Sequence, residues 1–136
     1  MPLTLETAEK ISAAGERKAE ELGIKVSVVT VDAGGHLVTV HRMDGASWLT
    51  VDIAAAMAYT AAAFKTRAAN LTGSADQPWF RSLTILSEGK VLPANGGIPI
   101  EVGGEIVGAV HTYIGEEAVA VGACAALNDD DYVTGN

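Results

Sequence analysis

Two stretches of the chain carry the pattern of a β-hairpin, and they constrain the fold more than any other feature. The first, KVSVVTVDAGGHLVTVHRMDG, has β-branched residues on both sides of an Asp-Ala-Gly-Gly turn and predicts strands over residues 25–32 and 36–43. The second, IPIEVGGEIVGAVHTY, turns at Gly103-Gly104, because two glycines supply the positive φ angles of a tight turn. Short turns force antiparallel pairing, so we expect an antiparallel sheet.

Helical patterns precede and separate the two hairpins. Apolar residues recur at helical spacing over residues 4–22, with Thr4 as the predicted cap and Gly23 at the end. The Ala-rich segment over residues 50–64 contains small residues on nearly all sides, which is typical of a helix packed on several faces. We therefore expect helices to cover the sheet.

The segment over residues 65–95 is the least regular, and we expect it to form a wall or lid of a pocket. A short helix that begins at Pro78 and is capped by Asp76 is predicted within it. A final helix is predicted over about residues 116–128. The order of helices and hairpins indicates an α+β fold with an antiparallel sheet flanked by helices.

Composition and charge exclude several classes of protein. The 136 residues are expected to form a single domain, 1–136, and 49% hydrophobic with 19% charged residues favours a folded chain over a disordered one. The apolar excess favours a homo-oligomer. The net charge of −8 argues against nucleic acid as a partner. No apolar stretch reaches the ~18 residues of a membrane span, so we expect no membrane partner and a cytoplasmic location.

Strong catalytic motifs are absent, so function has to be inferred from weaker groups of residues. The sequence contains no GxGxxG, Walker A, HExxH or GxSxG pattern. Cys124 is the single cysteine and is expected to be a small buried side chain, so no metal site is expected. His36, beside the first turn, is expected to be a hydrogen-bonded structural residue.

Two loops carry candidate ligand-binding groups. Gly96 and Gly97 precede a strand, where glycine lets the backbone approach a ligand and exposes N–H groups that can hold a carboxylate; a simple turn is the alternative. At the end of the first hairpin, Arg42 could bind a carboxylate, and Asp44 could orient that arginine or cap the next helix. His41 beside them is a candidate cofactor ligand.

Polar residues at the end of the last predicted strand form the third candidate site. Strict alternation along the strand would place five side chains on one face: Glu105, Val107, Ala109, His111 and Tyr113. His111 could bind iron or transfer protons, since its ordinary pKa is near neutrality. Tyr113 and Glu116 are the accompanying acid–base candidates, although Glu116 also suits the start of the last helix.

Three motifs together resemble the GlcG/HbpS-like family, which includes the C-terminal domain of PduO-type proteins. They are VSVVTVDAGGHLVTVHRMDGA, the helix with AMAYTAAAF, and GGIPIEVGGEIVGAV, and they span almost the whole chain. The resemblance implies a profilin-like antiparallel sheet of about four to five strands, flanked by helices and assembled into oligomers. Some members bind haem. After GAV the family continues with a Gly-Val-Ser-Gly-like stretch, whereas this chain has His111 and Tyr113, and Met57 stands where a lysine is common.

Three functions remain open from the sequence. The first, which the resemblance implies, is an oligomer that binds haem or another tetrapyrrole. The residues themselves offer His111, His41 or Tyr113 as axial ligand and Arg42 near a propionate, while the resemblance transfers no haem ligand to this chain. The alternative is a cofactor-independent isomerase, lyase or hydratase that acts on a small organic acid through His111, Tyr113 or Glu116. The third is an oligomer without a ligand, in which the polar cluster lies at a subunit contact.

Overall fold

The computed structural model describes residues 2–93 and 97–113. For Tyr113 it describes the backbone but not the side chain. The final helix predicted over residues 116–128, and Cys124 within it, lie outside the described residues. The elements are, in chain order, α1 (Leu5–Glu21), β1 (Ser27–Asp32), β2 (Leu37–Arg42), α2 (Leu49–Phe64), a 3-10 helix (Ala68–Ser74), α3 (Pro78–Leu86), β3 (Ile98–Val102) and β4 (Glu105–Tyr113).

The strands form a four-stranded antiparallel sheet in the order β2-β1-β4-β3. Both predicted hairpins are confirmed, and Gly103 and Gly104 have φ angles of 60° and 83°, as the two-residue turn requires. Strand β1 lies inside the sheet between β2 and β4, so its residues from Ser27 to Val31 are all buried. The predicted α+β class is confirmed.

Helix α1 covers one face of the sheet, called here the α1 side. It begins after Thr4, whose side chain accepts a hydrogen bond from the backbone N–H of Thr7 at 3.1 Å. Its apolar residues Ala8 and Ile11 belong to the same buried cluster as Val28 of β1. Burial of such side chains contributes about 0.8 kcal/mol per methylene and accounts for most of the helix's stability.

Helix α2 covers the opposite face, called the α2 side. Its Ala54, Ala58 and Ala61 pack against Val29 of β1 and Ala109 of β4. Alanine adds little bulk between helix and sheet, so the backbones approach closely. The prediction of a helix packed on several sides is confirmed.

The segment between α2 and β3 differs from the prediction in two details. The 3-10 helix Ala68–Ser74 carries no periodic apolar signal and was not predicted. Pro78 begins α3 as expected, but the N-cap is Gln77 in extended conformation and not Asp76, and no side chain caps the helix. Proline at the first helical position restricts the preceding residue to extended geometry, so the cap moves next to it.

Candidate functional site

The sheet separates the two histidines that the sequence suggested for one site. His41 pairs with Val28, which lies on the α1 side, whereas His111 pairs with Val29, which lies on the α2 side. Paired residues of antiparallel strands project to the same face. His41 and His111 therefore lie on opposite faces and cannot serve one small ligand together.

His41 is held by two carboxylates of α1. Its Nδ1 lies 2.5 Å from Oε1 of Glu16, and its Nε2 lies 3.3 Å from Oε1 of Glu9. Partial burial alone would lower the pKa of His41, but the hydrogen bonds to Glu16 and Glu9 and their charges outweigh it and raise the pKa above its ordinary value. Both ring nitrogens are thus engaged in joining β2 to α1.

His111 is buried, with 2% of its surface exposed, on the α2 side next to Val29. The predicted alternation along β4 is wrong at its first half, because the pairing with β3 shifts between Ile100 and Glu101. This irregularity places Val107 in the α1-side cluster while Ala109 lies in the α2-side cluster. The Tyr113 side chain and Glu116 lie outside the described residues.

In the part of the chain that the structure describes, Arg42 has a partner four residues away, and the side chain of Asp44 has none. Nη1 of Arg42 donates to the carbonyl oxygen of Ala46 at 3.0 Å and so stabilises the loop after β2. Asp44 is exposed, and among the described residues it forms no ion pair with Arg42. The prediction that Asp44 caps the next helix is wrong, since the N-cap of α2 is Trp48 without a side-chain hydrogen bond.

Gly97 lies close to the backbone of α2. A Cβ at this position would lie 2.9 Å from the carbonyl carbon of Met57 in α2 and 3.2 Å from Cβ of Ala68. The carbonyl oxygen of Gly97 accepts a hydrogen bond from the N–H of Ala68 at 2.9 Å. Glycine is needed here so that the chain entering β3 can lie against α2. Gly96 lies outside the described residues.

A pocket opens on the α2 side at the turn between β1 and β2. Its volume is about 490 Å³. Its lining residues come from three separate segments: Val31, Gly35, His36, Leu37, Asp52, Ala55, Ala56, Tyr59, Glu88, Gly89 and Lys90. Glu88, Gly89 and Lys90 belong to the segment over residues 65–95 that the sequence predicted as a pocket wall, whereas the contributions of the β1–β2 turn and of Tyr59 were not predicted. The pocket combines apolar walls with an imidazole, a phenol, carboxylates and an ammonium group.

His36 is fixed at the edge of this pocket by Asp32. Its Nδ1 lies 3.1 Å from Oδ1 and 3.3 Å from Oδ2 of Asp32, while 81% of its side chain is exposed. Slight desolvation would raise the pKa of Asp32, but hydrogen bonds from the backbone of His36 and Gly34, with the imidazole beside it, hold the pKa below its ordinary value. The expected hydrogen-bonded role of His36 is confirmed, and the ring also lines a pocket.

Tyr59 lines the pocket beside the β1–β2 turn. Gly35, with a φ of +81°, lies against its ring so closely that a Cβ there would be 2.9 Å from Cδ2. Nζ of Lys90 lies 6.0 Å from the ring centroid, within reach of a cation–π interaction. The ring therefore connects the β1–β2 turn to the segment after α3.

Two further depressions lie along α2 and α3. One shares Tyr59 with the pocket and includes Phe64, Leu83 and Leu86. The other shares Leu83 and Leu86 and is bordered by Trp79. Because the pocket and these depressions adjoin one another at shared residues, the three are called here the trough.

The described residues contain neither a cluster of metal-binding side chains nor a membrane-spanning helix. Within residues 2–93 and 97–113, no three His, Cys, Asp or Glu side chains are grouped so that they could hold a metal ion. None of the helices described there is long and apolar enough to cross a membrane.

The fold and sequence match one protein family over most of the chain. The family model described as haem-degrading protein HbpS-like matches residues 3–122. The chain belongs to the HbpS-like family. This confirms the resemblance inferred from the three sequence motifs.

Individual relatives agree with that assignment. Protein GlcG of Escherichia coli K12 is 31% identical over 109 residues, which cover 79% of this chain and 78% of GlcG. The crystal structure of a PduOC–haem complex matches with a TM-score of 0.83 and 27% identity over 98% of each chain. A double mutant of HbpS from Streptomyces reticuli matches with a TM-score of 0.78 and 28% identity over 93% of this chain and 88% of HbpS.

Proposed function

We propose that this protein binds haem, or a closely related tetrapyrrole, in the trough on the α2 side, with His36 as the iron ligand. The observation that carries the proposal is the arrangement of His36 at the edge of the pocket, in a chain that matches a haem-bound relative along nearly its whole length. Fold alone would not select this function.

The donor chemistry of His36 fits a haem iron. Histidines that bind metals almost always donate their second ring N–H to a carboxylate or carbonyl. Here Nδ1 faces the Asp32 carboxylate at 3.1 Å, and in the described residues Nε2 makes no hydrogen bond. An exposed imidazole oriented by a carboxylate is therefore available to a ligand that enters from solvent.

The walls of the trough fit the rest of the macrocycle. Val31, Leu37 and Ala55 offer apolar surface for the porphyrin ring, and Tyr59 offers an aromatic face. Lys90 lines the same pocket and can pair with a propionate. When bound, haem would supply a redox-active iron, and these side chains would hold and orient it.

The ligands suggested by the sequence are less suitable. Both ring nitrogens of His41 are hydrogen-bonded to carboxylates of α1, on the opposite face of the sheet. His111 is buried with 2% exposure, so it presents almost no surface to a ligand. His36 replaces them in the proposal.

A hemin titration followed by visible absorption tests the proposal. We expect a saturable, shifted Soret band for the wild type and a loss of most affinity in His36→Ala. His41→Ala is the matched control, because it removes an imidazole from the other face and should leave hemin affinity close to that of the wild type. No saturable shift for the wild type, or equal affinity in His36→Ala, would contradict it.

We also propose that the protein assembles with further copies of itself, through the uncovered part of the α2 side. Helix α2 leaves part of edge strand β2 bare there. Leu37 is 60% exposed, Val40 is 44% exposed and Trp48, just before α2, is 72% exposed. Exposed apolar side chains of this kind, on a strand that lies at the edge of the sheet formed by the described residues, favour association.

The second function predicted from the sequence, acid–base catalysis on a small organic acid, stays a prediction. It assigned the chemistry to His111, Tyr113 and Glu116. His111 is buried, and the other two side chains lie outside the described residues. None of the described contacts favours it over haem binding.

A further inference from the structure

Asp32 accepts several hydrogen bonds that together fix the position of His36. Its Oδ1 accepts from the backbone N–H of Gly34 at 2.9 Å and of His36 at 2.9 Å, and it lies 3.1 Å from Nδ1 of His36. An ionised carboxylate can only accept hydrogen bonds. The proton of the neutral imidazole must therefore be on Nδ1.

We propose that Asp32 is a positioning residue, which fixes His36 in the Nδ1–H tautomer and so presents the lone pair of Nε2 to the pocket as a metal ligand. The identity of that metal rests on the proposed haem function. The tautomer itself is a property of the protein without any ligand.

The backbone of the turn restricts the same ring from a second direction. A Cβ at Gly34 would lie 2.8 Å from Cε1 and 3.0 Å from Nδ1 of His36, so the ring packs directly against the glycine backbone. An exposed side chain normally samples several rotamers. Between Gly34 and the Asp32 carboxylate, the His36 ring is held in one orientation before a ligand arrives.

The charge of Asp32 has a chemical consequence for Nε2. A carboxylate that accepts the Nδ1 proton makes the opposite nitrogen a stronger donor to a metal. Hydrogen bonding of an axial ligand is also one of the means by which a protein sets the potential of haem iron. Asp32 should thus strengthen iron binding and favour the ferric form.

Asp32→Asn separates this role from the structural role of the turn. The amide oxygen can still accept from the N–H groups of Gly34 and His36, while an NH₂ group replaces the oxygen 3.3 Å from Nδ1. The neutral amide oxygen, 3.1 Å from Nδ1, attracts the Nδ1 proton less strongly than the carboxylate does, and the NH₂ group can donate to Nδ1, so the variant shifts the tautomer population toward Nε2–H. Asp76→Asn, an exposed site at the start of α3, makes the same charge change without touching His36.

The experiment is a measurement of the ¹⁵N chemical shifts of the His36 ring in protein without haem, as the pH is raised until they no longer change. We expect the Nδ1–H tautomer in the wild type and in Asp76→Asn, and a shift toward Nε2–H in Asp32→Asn. Hemin affinity should fall about 10-fold to 100-fold in Asp32→Asn only, with a higher iron reduction potential.

The wild-type spectrum alone can overturn the proposal, whether or not the variant folds. An Nε2–H tautomer in the wild type, or an unchanged tautomer in folded Asp32→Asn, would show that Asp32 does not position the ring. If the tautomer behaves as expected but hemin does not bind the wild type, the haem function fails and the positioning by Asp32 stands.

Discussion

Replacing Gly97 by alanine should destabilise the protein, because the new methyl group has no space between β3 and α2. Its Cβ would lie 2.9 Å from the carbonyl carbon of Met57 and 3.2 Å from Cβ of Ala68. Carbon atoms prefer separations of about 3.5–4.0 Å. The Met57 contact is with helix backbone, which cannot rotate away as a side chain could. Overpacking lowers the free energy of unfolding by about 1–3 kcal/mol, and we expect a loss of about 3 kcal/mol here.

That free energy corresponds to a measurable shift in melting temperature. An unfolding entropy of about 2.1 cal/mol/K per residue gives ~0.29 kcal/mol/K for the 136 residues. A loss of ~3 kcal/mol should therefore lower the Tm by about 10 °C, which scanning calorimetry or circular dichroism can measure.

Gly73→Ala is the matched control for this experiment. Gly73 lies in the 3-10 helix with no atom within 4 Å of a Cβ placed there, and its φ is not in the left-handed region. Alanine at such a site reduces the entropy of the unfolded chain and stabilises the protein by ~0.4–1 kcal/mol. The Tm should therefore rise by a few degrees. A loss of less than about 3 °C in Gly97→Ala, equivalent to ~1 kcal/mol, would refute the close packing of β3 on α2.

Three further predictions follow from other contacts. Because the pKa of His41 is raised, its interaction with Glu16 stabilises the protein below the ordinary histidine pKa, and this contribution disappears as the pH rises through the raised value. Glu16→Gln should consequently lower the Tm in mildly acidic solution and converge with the wild type in alkaline solution; a constant difference would argue against the ion pair. Thr50→Val removes the 2.7 Å hydrogen bond to the buried Ser27 hydroxyl and should cost about 1–3 kcal/mol in urea denaturation, whereas a neutral effect would mean that Ser27 finds another partner. Trp48→Ser should reduce the molar mass measured by light scattering, and an unchanged mass would exclude Trp48 from a subunit contact.

The helices and hairpins could be predicted because their signals are local. Thr4 caps α1 through a contact only three residues away, and the Gly103-Gly104 turn dictates an antiparallel partner strand. The Ala-rich composition of α2 predicted a helix buried on several sides. This prediction was correct because composition is also a local property of the segment. Each of these features depends on neighbours in the sequence.

The site could not be predicted in the same way, because it depends on register and on distant contacts. The irregular pairing of β3 with β4 moves Val107 to the other face, and no local pattern marks that shift. The pocket joins a turn near His36, the middle of α2 at Tyr59, and Lys90 after α3. These segments become neighbours only when the helices pack on the sheet.

The most direct test of the central claim is to map where a tetrapyrrole binds. Zinc protoporphyrin IX is diamagnetic, so its titration can be followed residue by residue in ¹H–¹⁵N spectra. The account predicts that the largest shifts occur on the α2 side, at Gly35, Leu37, Tyr59 and Lys90. Shifts concentrated instead on the α1 side around His41, or no saturable shifts at all, would contradict it.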